Sequence, residues 1–244
     1  MKLSIVIPIL DSHEVLRRQL LHWERIGIPD DTEIIIVDDG SNPPLQNTSS
    51  LDVTIYKTHD SRPWTWALAR NIGATLARGE YLLMFEIDHI ITRELLDFVR
   101  GYDGDKVLFL REFAVLDGDG VLTQDRDVLE VYGLPKDKGL KVGPLPNNFA
   151  MRKDVFWKLG GYREDLVTRP YPQGEDRLFK KAWLVHQRKH NATVAVHRPV
   201  IYVFPVGKLI GDVDADPQHL FHSLTRKTER NHYYKRQLQG TLDK

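Results

Sequence analysis

Residues 3–37 read LSIVIPILDSHEVLRRQLLHWERIGIPDDTEIIIV, and this stretch decides the fold. Leu3 to Ile9 and Glu33 to Val37 are continuous apolar runs, which are typical of strands that are covered on both faces of a parallel sheet. Ser12 to Ile26 lies between them and carries apolar residues at the spacing of an amphipathic helix. A strand, a helix and a second strand in this order predict a right-handed parallel unit.

The same alternation continues through the first 110 residues. Val53 to Tyr56 and Tyr81 to Phe85 predict two further strands, and roughly Trp64 to Ala77 predicts the helix between them. Alternating strands and helices favour an α/β, doubly wound sheet of the Rossmann-like kind. Ligands of such sheets bind outside the carboxyl ends of the strands, so we expect functional residues in the loops that follow the strands.

The second half of the chain has a different, α+β pattern of shorter strands and turns after Leu110. The acidic turn at 117–120 lacks the later ligands of a calcium loop, so it predicts a plain hairpin. A strand near Asn148 to Met151, a short helix up to Leu159 and a longer helix from Glu175 to about Gln187 are expected next.

Composition excludes several classes of protein. Lys plus Arg and Asp plus Glu are equal at 34 each, so no long-range field favours nucleic acid, and we expect no nucleic-acid partner. The absence of cysteine excludes disulfides, zinc thiolate sites and thiol nucleophiles, and it fits a reducing compartment. The apolar run at the N-terminus is interrupted by Pro8 and is too short for a transmembrane segment, so we expect a cytoplasmic protein.

Pairs of acidic residues occur at three places where ligands are expected. Asp38-Asp39 follows a buried strand, where these residues either form a turn or accept hydrogen bonds from a uracil N–H or a ribose hydroxyl. Glu86 and Asp88 follow another strand and are either a charged loop end or oxygen ligands for Mg²⁺ or Mn²⁺. Glu175-Asp176 opens a helix, where acids favour the helix dipole or supply a general base.

Five segments in order resemble glycosyltransferases of the GT-A type: SIVIPIL, EIIIVDDGSN, ALARNIGATLARGEYLLMFEID, NNFAMRKDVFWKLGGYREDL and GED. The N-terminal segments are similar to family 2 glycosyltransferases. The segment from Asn147 to Asp176 is also similar to the C-terminal module of β-1,4-galactosyltransferases and polypeptide N-acetylgalactosaminyltransferases. The resemblance implies one GT-A domain over residues 1–244 with a mixed sheet. Its parts are a nucleotide-sugar-binding half (1–110), an acceptor-side half (111–205) and a C-terminal helical tail (206–244).

The resemblance also implies residues for the sugar donor, which we expect to be a nucleotide diphosphate sugar with UDP as its nucleotide. Pro8, Asp38 and especially Asp39 match positions at the nucleoside. Arg70 lies in the helix that is on the donor side in the family, and Glu86 matches an acid that faces ribose or metal.

A metal and a catalytic base are implied in the same way. Asp88 matches the last acid of the DxD motif and is the expected ligand of Mn²⁺ or Mg²⁺, with Glu86 in place of the usual first Asp. Asp176 matches the acid proposed as the catalytic base in inverting members, and Glu175 beside it is expected to orient the acceptor.

The chain differs from the family in the histidine that binds the metal. Many relatives supply a histidine to the metal downstream of the GED segment, and the run PVIYVFPVG at 199–207 has none. We expect any histidine ligand to be His222 or His219 rather than His197. The remaining candidates are expected to be surface or structural histidines: His89, His186 and His190.

Other polar and aromatic residues allow two interpretations. Trp64 and Trp66 either stack on a sugar or, as we expect, pack in the core. Asn147 and Asn148 either line the acceptor side or form a polar turn. The basic residues of the helix expected from Asp216 onward form a solvated face, with a lid over the diphosphate or contact with an anionic surface as alternatives.

The sequence therefore predicts a metal-dependent glycosyltransferase that moves a sugar to the hydroxyl of a glycan, a protein or a small molecule, with inversion. A catalytically silent glycan- or nucleotide-sugar-binding module is one alternative. A nucleotidyltransferase is another, although the segment PILDSHE at 8–14 lacks the glycine-rich basic loop of that class.

Overall fold

The computed structural model of the protein describes residues 1–60, 65–165, 174–192 and 194–205. The helices are α1 (His13–Ile26), α2 (Trp66–Leu76), α3 (Arg93–Gly101), α4 (Arg126–Val131), α5 (Lys153–Lys158) and α6 (Glu175–His190). The strands are β1 (Leu3–Ile9), β2 (Thr32–Asp38), β3 (Val53–Lys57), β4 (Tyr81–Met84), β5 (His89–Ile90), β6 (Lys106–Phe113), β7 (Val115–Leu116), β8 (Leu122–Thr123), β9 (Lys141–Val142), β10 (Phe149–Arg152) and β11 (Val194–Val203).

Nine of these strands form one mixed sheet within the described residues, in the order β3-β2-β1-β4-β10-β6-β11-β5 with β9 against β6. The first four strands in this order are parallel to one another. β10 then runs antiparallel between β4 and β6, and Phe149 pairs with Met84 of β4 and with Leu108 of β6. The prediction of an α/β, doubly wound mixed sheet is confirmed.

Both faces of the parallel strands are covered, which explains their continuous apolar sequences. Ile5 and Ile7 of β1 belong to the cluster that includes Trp23 of α1, whereas Val6 belongs to the cluster that includes Ala69 of α2. On the α2 side, a Cβ on Gly73 would overlap the side chain of Val6. Alternate residues of each strand therefore pack into two hydrophobic cores, one on each face of the sheet. The helix α2 packs closely on β1 because position 73 has no side chain.

The second half follows the predicted pattern with small changes. The turn at 117–120 joins β7 to β8, which pair antiparallel as a hairpin. α6 continues three residues beyond Gln187, to His190, where Asn191 caps it in the left-handed region. The helix expected from Asp216, the tail and the candidate ligands His219 and His222 lie outside the described residues. Within the described ranges, no helix combines the length and apolar composition that crossing a membrane requires.

Candidate active site

The carboxyl ends of β1, β2 and β4 meet at one edge of the sheet because these strands are parallel. In the register of β1 and β2, Pro8 pairs with Val37 and Ile9 pairs with Asp38. The segments that carry Pro8, Asp38 and Glu86 therefore lie at the same edge. This is the arrangement that the sequence predicted.

The carboxylate of Asp38 binds backbone amides of the loop that follows it. Its buried carboxylate accepts hydrogen bonds from two backbone amides, Ser41 N to Oδ1 at 2.8 Å and Leu45 N to Oδ2 at 3.0 Å. A carboxylate whose two oxygens bind amides of its own turn shapes that turn. The geometry therefore agrees better with Asp38 as a turn residue than with Asp38 as a direct contact to a nucleoside.

Asp39 instead connects different parts of the edge. Its backbone amide donates to Ile9 O of β1 at 2.8 Å, and its Oδ1 accepts from the hydroxyls of Thr58, at 3.3 Å, and Thr65. Thr65 is also the N-cap residue of α2. Asp39 is therefore held by hydroxyl donors between β1, the end of β3 and α2, which suits a carboxylate that meets a ligand in this crevice.

Arg70 of α2 is buried at the site, with 1% of its surface exposed. Its Nη2 donates to Glu86 Oε1 at 3.1 Å, and its guanidinium carbon lies 5.3 Å from the ring centres of both Trp66 and Tyr162. Among the described residues, its Nε and Nη1 have no hydrogen-bond partner. A buried cation with unpaired donors is costly alone, so Arg70 is suited to a ligand that supplies acceptor oxygens.

Trp66 differs from its predicted place in the core. It is partly buried and covers the guanidinium of Arg70, whereas Trp64 lies outside the described residues. The cation over the ring explains this position, because an aromatic face attracts a guanidinium. Trp66 thus forms a wall of the site around Arg70.

The loop from Glu86 to His89 has a fixed backbone. Four hydrogen bonds hold it. Gln19 of α1 donates through Nε2 to Ile87 O (3.1 Å) and to His89 O (2.5 Å). Glu86 N donates to Oδ1 of Asn148, just before β10 (3.0 Å), and Phe204 N, just after β11, donates to Asp88 O (2.9 Å). The acidic side chains therefore start from a backbone that three other segments position, which is the support that a precise ligand site requires.

The side chains of this loop form a compact polar group. Ligand atoms of Glu86, Asp88 and His89 lie within 4.8 Å of one another. The Glu86 and Asp88 side chains are 20% and 18% exposed, whereas the side chain of His89 is fully buried. Arg111 lies on the far side of His89, where burial lowers its pKa while the carboxylates of Asp88 and Glu86 act in the opposite direction.

The two acids fit a hard divalent cation. Their carboxylate oxygens are the ligands that Mg²⁺ and Mn²⁺ prefer, and both reach solvent, where a diphosphate and water can complete the coordination. Glu86 already pairs with Arg70, so Asp88 is the better placed of the two. His89 is fully buried, and its Nδ1 lies 2.6 Å from Asp88 Oδ1, a contact that the sequence did not indicate.

The first turn of α6 carries Glu175 and Asp176. Glu175 is buried and Asp176 is partly exposed, just after Gly174 at φ 100°. Burial is the main cause of the raised pKa of the Tyr162 hydroxyl, Arg70 opposes this effect, and the carboxylates of Glu86, Glu175 and Asp176 raise the pKa further. The first-turn acids of α6 therefore lie within electrostatic range of the residue that also covers Arg70.

A cluster of aromatic rings fixes α6 in this position. Phe179 of α6 stacks on Tyr162 at 4.5 Å and on Phe149 of β10 at 5.5 Å. Asn71 of α2 holds the backbone of Tyr162 on both sides, since its Oδ1 accepts from Tyr162 N and its Nδ2 donates to Tyr162 O, each at 2.9 Å. Tyr162 belongs to a segment that carries the family resemblance, NNFAMRKDVFWKLGGYREDL, although the sequence assigned it no role, and nothing in the sequence pointed to Arg111 or Gln19.

A family model described as glycosyl transferase family 2 matches residues 4–160. Crystal structures of S. aureus TarS, residues 1–349, have the same fold. The first has a TM-score of 0.54 at 16% identity and covers 97% of this chain and 73% of that chain. A complex with UDP has the same TM-score and coverage at 18% identity. A complex with UDP-GlcNAc has a TM-score of 0.53 at 18% identity and covers 83% of this chain and 58% of that chain.

No curated protein sequence matches the chain. The structural matches confirm the GT-A fold. Because the family match ends at residue 160, the resemblance of Asn147 to Asp176 to the galactosyltransferase module remains a prediction.

The family match spans more than half of the chain and includes the edge with Asp39, Arg70 and Asp88. It favours neither a silent binding module nor a nucleotidyltransferase. The chain belongs to glycosyltransferase family 2, and it is an enzyme of nucleotide-sugar glycosyl transfer.

Proposed function

We propose that this glycosyltransferase moves a sugar from a UDP-sugar to an acceptor hydroxyl with inversion, and that it requires Mn²⁺ or Mg²⁺. The observation that carries the proposal is the polar group at the edge of the sheet that holds Asp39 and Asp88: a buried Arg70 pairs there with Glu86, and its Nε and Nη1 have no hydrogen-bond partner among the described residues. The crystal structures of TarS with UDP and UDP-GlcNAc favour a uridine donor.

The donor occupies the edge formed by β1, β2 and α2. Asp39 accepts a hydrogen bond from the uracil N–H or a ribose hydroxyl, and Pro8 lines the crevice beside it. Asp38 contributes by holding the turn that follows β2. Nε–H and Nη1–H of Arg70, which have no partner among the described residues, donate to oxygens of the bound donor. These bonds satisfy a buried cation that Glu86 pairs through one nitrogen.

Asp88 and, secondarily, Glu86 hold the cation. When bound, a divalent cation of this kind stabilises the charge of a departing diphosphate. Asp88 provides a carboxylate on a backbone that Gln19 and Phe204 fix. His222 stays a candidate third ligand from the sequence alone, and His219 stays a second choice.

Asp176 acts as the general base. The acceptor oxygen attacks the anomeric carbon from the face opposite the diphosphate, and the bond between that carbon and the phosphate oxygen breaks with its electron pair going to UDP. Asp176 takes the proton of the acceptor hydroxyl as the new bond forms. Glu175, which is buried beside it, orients the acceptor.

Three isosteric variants test these roles. Asp88→Asn removes the charge of the main ligand, so Mn²⁺ should no longer strengthen UDP binding in calorimetry. Asp176→Asn should leave UDP affinity unchanged while it slows release of UDP from UDP-sugar by about 10² to 10⁴-fold, the usual scale of general base catalysis. Asp154→Asn, on the exposed face of α5, is the control and should change neither quantity.

The outcomes separate the assignments. Full turnover in Asp176→Asn would remove that residue as the base. UDP binding in Asp88→Asn that still depends on Mn²⁺ as in the parent would remove Asp88 as the ligand. If the parent binds GDP or dTDP but not UDP, the donor assignment is wrong and the two residue roles are tested with the nucleotide that binds.

A further inference from the structure

We propose that His89 and Asn148 are positioning residues that set the geometry of the Asp88 carboxylate, with His89 orienting this carboxylate instead of binding the cation itself. The inference rests on the proposed function in that it takes Asp88 as the ligand. It assigns roles to two buried polar residues, His89 and Asn148. Their contacts form a chain that begins at the backbone of Glu86 and ends on Asp88.

The direction of every hydrogen bond in this chain follows from its first member. The backbone N–H of Glu86 can only donate, so the side-chain atom of Asn148 that lies 3.0 Å away is the amide oxygen. The NH₂ group of Asn148 therefore faces His89 Nε2, at 2.8 Å, and donates to it. Nε2 accepts, so the ring proton is on Nδ1, and Nδ1–H donates to Asp88 Oδ1 at 2.6 Å.

Arg111 supports the same assignment independently. Its Nη1 lies 3.2 Å from His89 Nε2, and a guanidinium has only donors, so Nε2 must again be the acceptor. Nε–H of Arg111 donates to Gly143 O at 2.6 Å, which fixes the guanidinium in this orientation. Two donors from different segments thus point at one nitrogen of His89, and the other nitrogen points at Asp88.

This arrangement distinguishes a ligand from an orienting residue. Nε2 of His89 already receives two donors, and its Nδ1 carries the proton that Asp88 accepts, so neither nitrogen presents a lone pair to a cation. The imidazole is fully buried and packs edge-on against Phe85, with ring centres 5.7 Å apart. Partners of this kind fix the ligands of metal sites, and their loss typically costs about 10 to 100-fold in metal affinity.

The covalent structure of histidine suggests a pair of variants. Nδ1 of His89 is bonded to Cγ, as Nδ2 is in asparagine, so His89→Asn keeps an N–H donor next to Asp88. His89→Leu fills the apolar surroundings but offers no donor. His22→Leu is the matched control, because His22 is also buried and its Nε2 donates to Ile91 O, 2.9 Å away, rather than to an acid of the loop.

The experiment is a calorimetric titration of Mn²⁺ into each variant of the whole chain with saturating UDP. His89→Leu should bind Mn²⁺ about 10 to 100-fold more weakly than the parent, whereas His89→Asn should recover most of the affinity and His22→Leu should keep all of it. Asn148→Asp removes the NH₂ group that donates to Nε2, so it should weaken Mn²⁺ binding as His89→Leu does. Equal affinity in His89→Leu and His22→Leu would overturn the proposal.

A second measurement needs neither cation nor donor. In the metal-free protein, ¹⁵N NMR of the His89 ring should show the proton on Nδ1, and a proton on Nε2 would overturn the hydrogen-bond direction. A parent chain that binds no UDP with Mn²⁺ would overturn the proposed function instead. The NMR result would then still decide whether His89 donates to Asp88.

Discussion

The hydroxyl of Tyr162 provides a test of how the site is built. Tyr162 is buried, burial raises the pKa of its phenol, and among the described residues its hydroxyl has no hydrogen-bond partner. Within the described part of the chain, the hydroxyl is therefore a neutral donor and acceptor that lost water on folding and gained no hydrogen bond in return. We expect Tyr162→Phe to increase the free energy of unfolding of the ligand-free protein.

The size of the increase follows from what the substitution keeps. Phenylalanine preserves the stack on Phe179, at 4.5 Å, and the cover of Arg70, at 5.3 Å. The change removes only a group whose unsatisfied burial costs about 1–3 kcal/mol. After a small loss of packing, we expect a gain of about 1 kcal/mol, or a melting temperature about 2–4 °C higher for a chain of this size.

Tyr81→Phe is the matched control for this measurement. Tyr81 is equally buried, but its hydroxyl donates to Gly104 O at 2.9 Å, so the same change should lower the free energy of unfolding by about 0.5–1.5 kcal/mol. The assay is urea denaturation at neutral pH, followed by tryptophan fluorescence. If both variants lose stability to the same extent, the Tyr162 hydroxyl has a partner and the reasoning is refuted.

Two further predictions concern the anchoring of α6 and the pH dependence of stability. Phe179→Ala should lower the free energy of unfolding by about 3–5 kcal/mol because a buried ring is lost. The control Val185→Ala, at a position 58% exposed on the same helix, should change this free energy by less than about 0.5 kcal/mol. Similar losses in the two variants would contradict the role of Phe179 in anchoring α6. Lys106 has its ammonium 4.3 Å from the ring centre of Phe149, and burial, with a smaller effect from Lys180, lowers its pKa from 10.5 to about 7. Between these two pKa values the unfolded chain binds a proton that the folded chain does not, so this group makes the free energy of unfolding rise with pH. Lys106→Met should remove the rise, which is measured from urea midpoints at about pH 7 and about pH 10. An unchanged difference between the two midpoints in the variant would exclude Lys106 as the cause.

The sequence was sufficient for the fold class and for the edge of the sheet that holds the site. Apolar runs such as Leu3–Ile9 are a local signal, and their lack of alternation indicates burial on both faces. Parallel strands end at a common edge, so an acid that directly follows such a strand comes to that edge. The positions of Asp39, Glu86 and Asp88 at this edge were predicted in this way, without knowledge of any contact.

The sequence was not sufficient to separate the roles of neighbouring residues. Asp38 and Asp39 are adjacent and chemically identical, yet one holds the turn after β2 and the other meets hydroxyls from two other segments. Trp66 was expected in the core because aromatic residues usually pack there, and it covers a buried arginine instead. Which partner a side chain meets depends on how loops from distant strands fold together.

The chain of contacts from Asn148 to Asp88 was decided by tertiary structure alone. Asn148 and Glu86 are 62 positions apart in the sequence, and they meet because β10 runs antiparallel to β4 with Phe149 opposite Met84. A shift of this register by one residue would turn the side chains of β10 to the other face of the sheet. Local periodicity predicts that a strand exists, but pairing and register arise from the packing of the whole sheet, and they determined which residues support the acids that the sequence had identified.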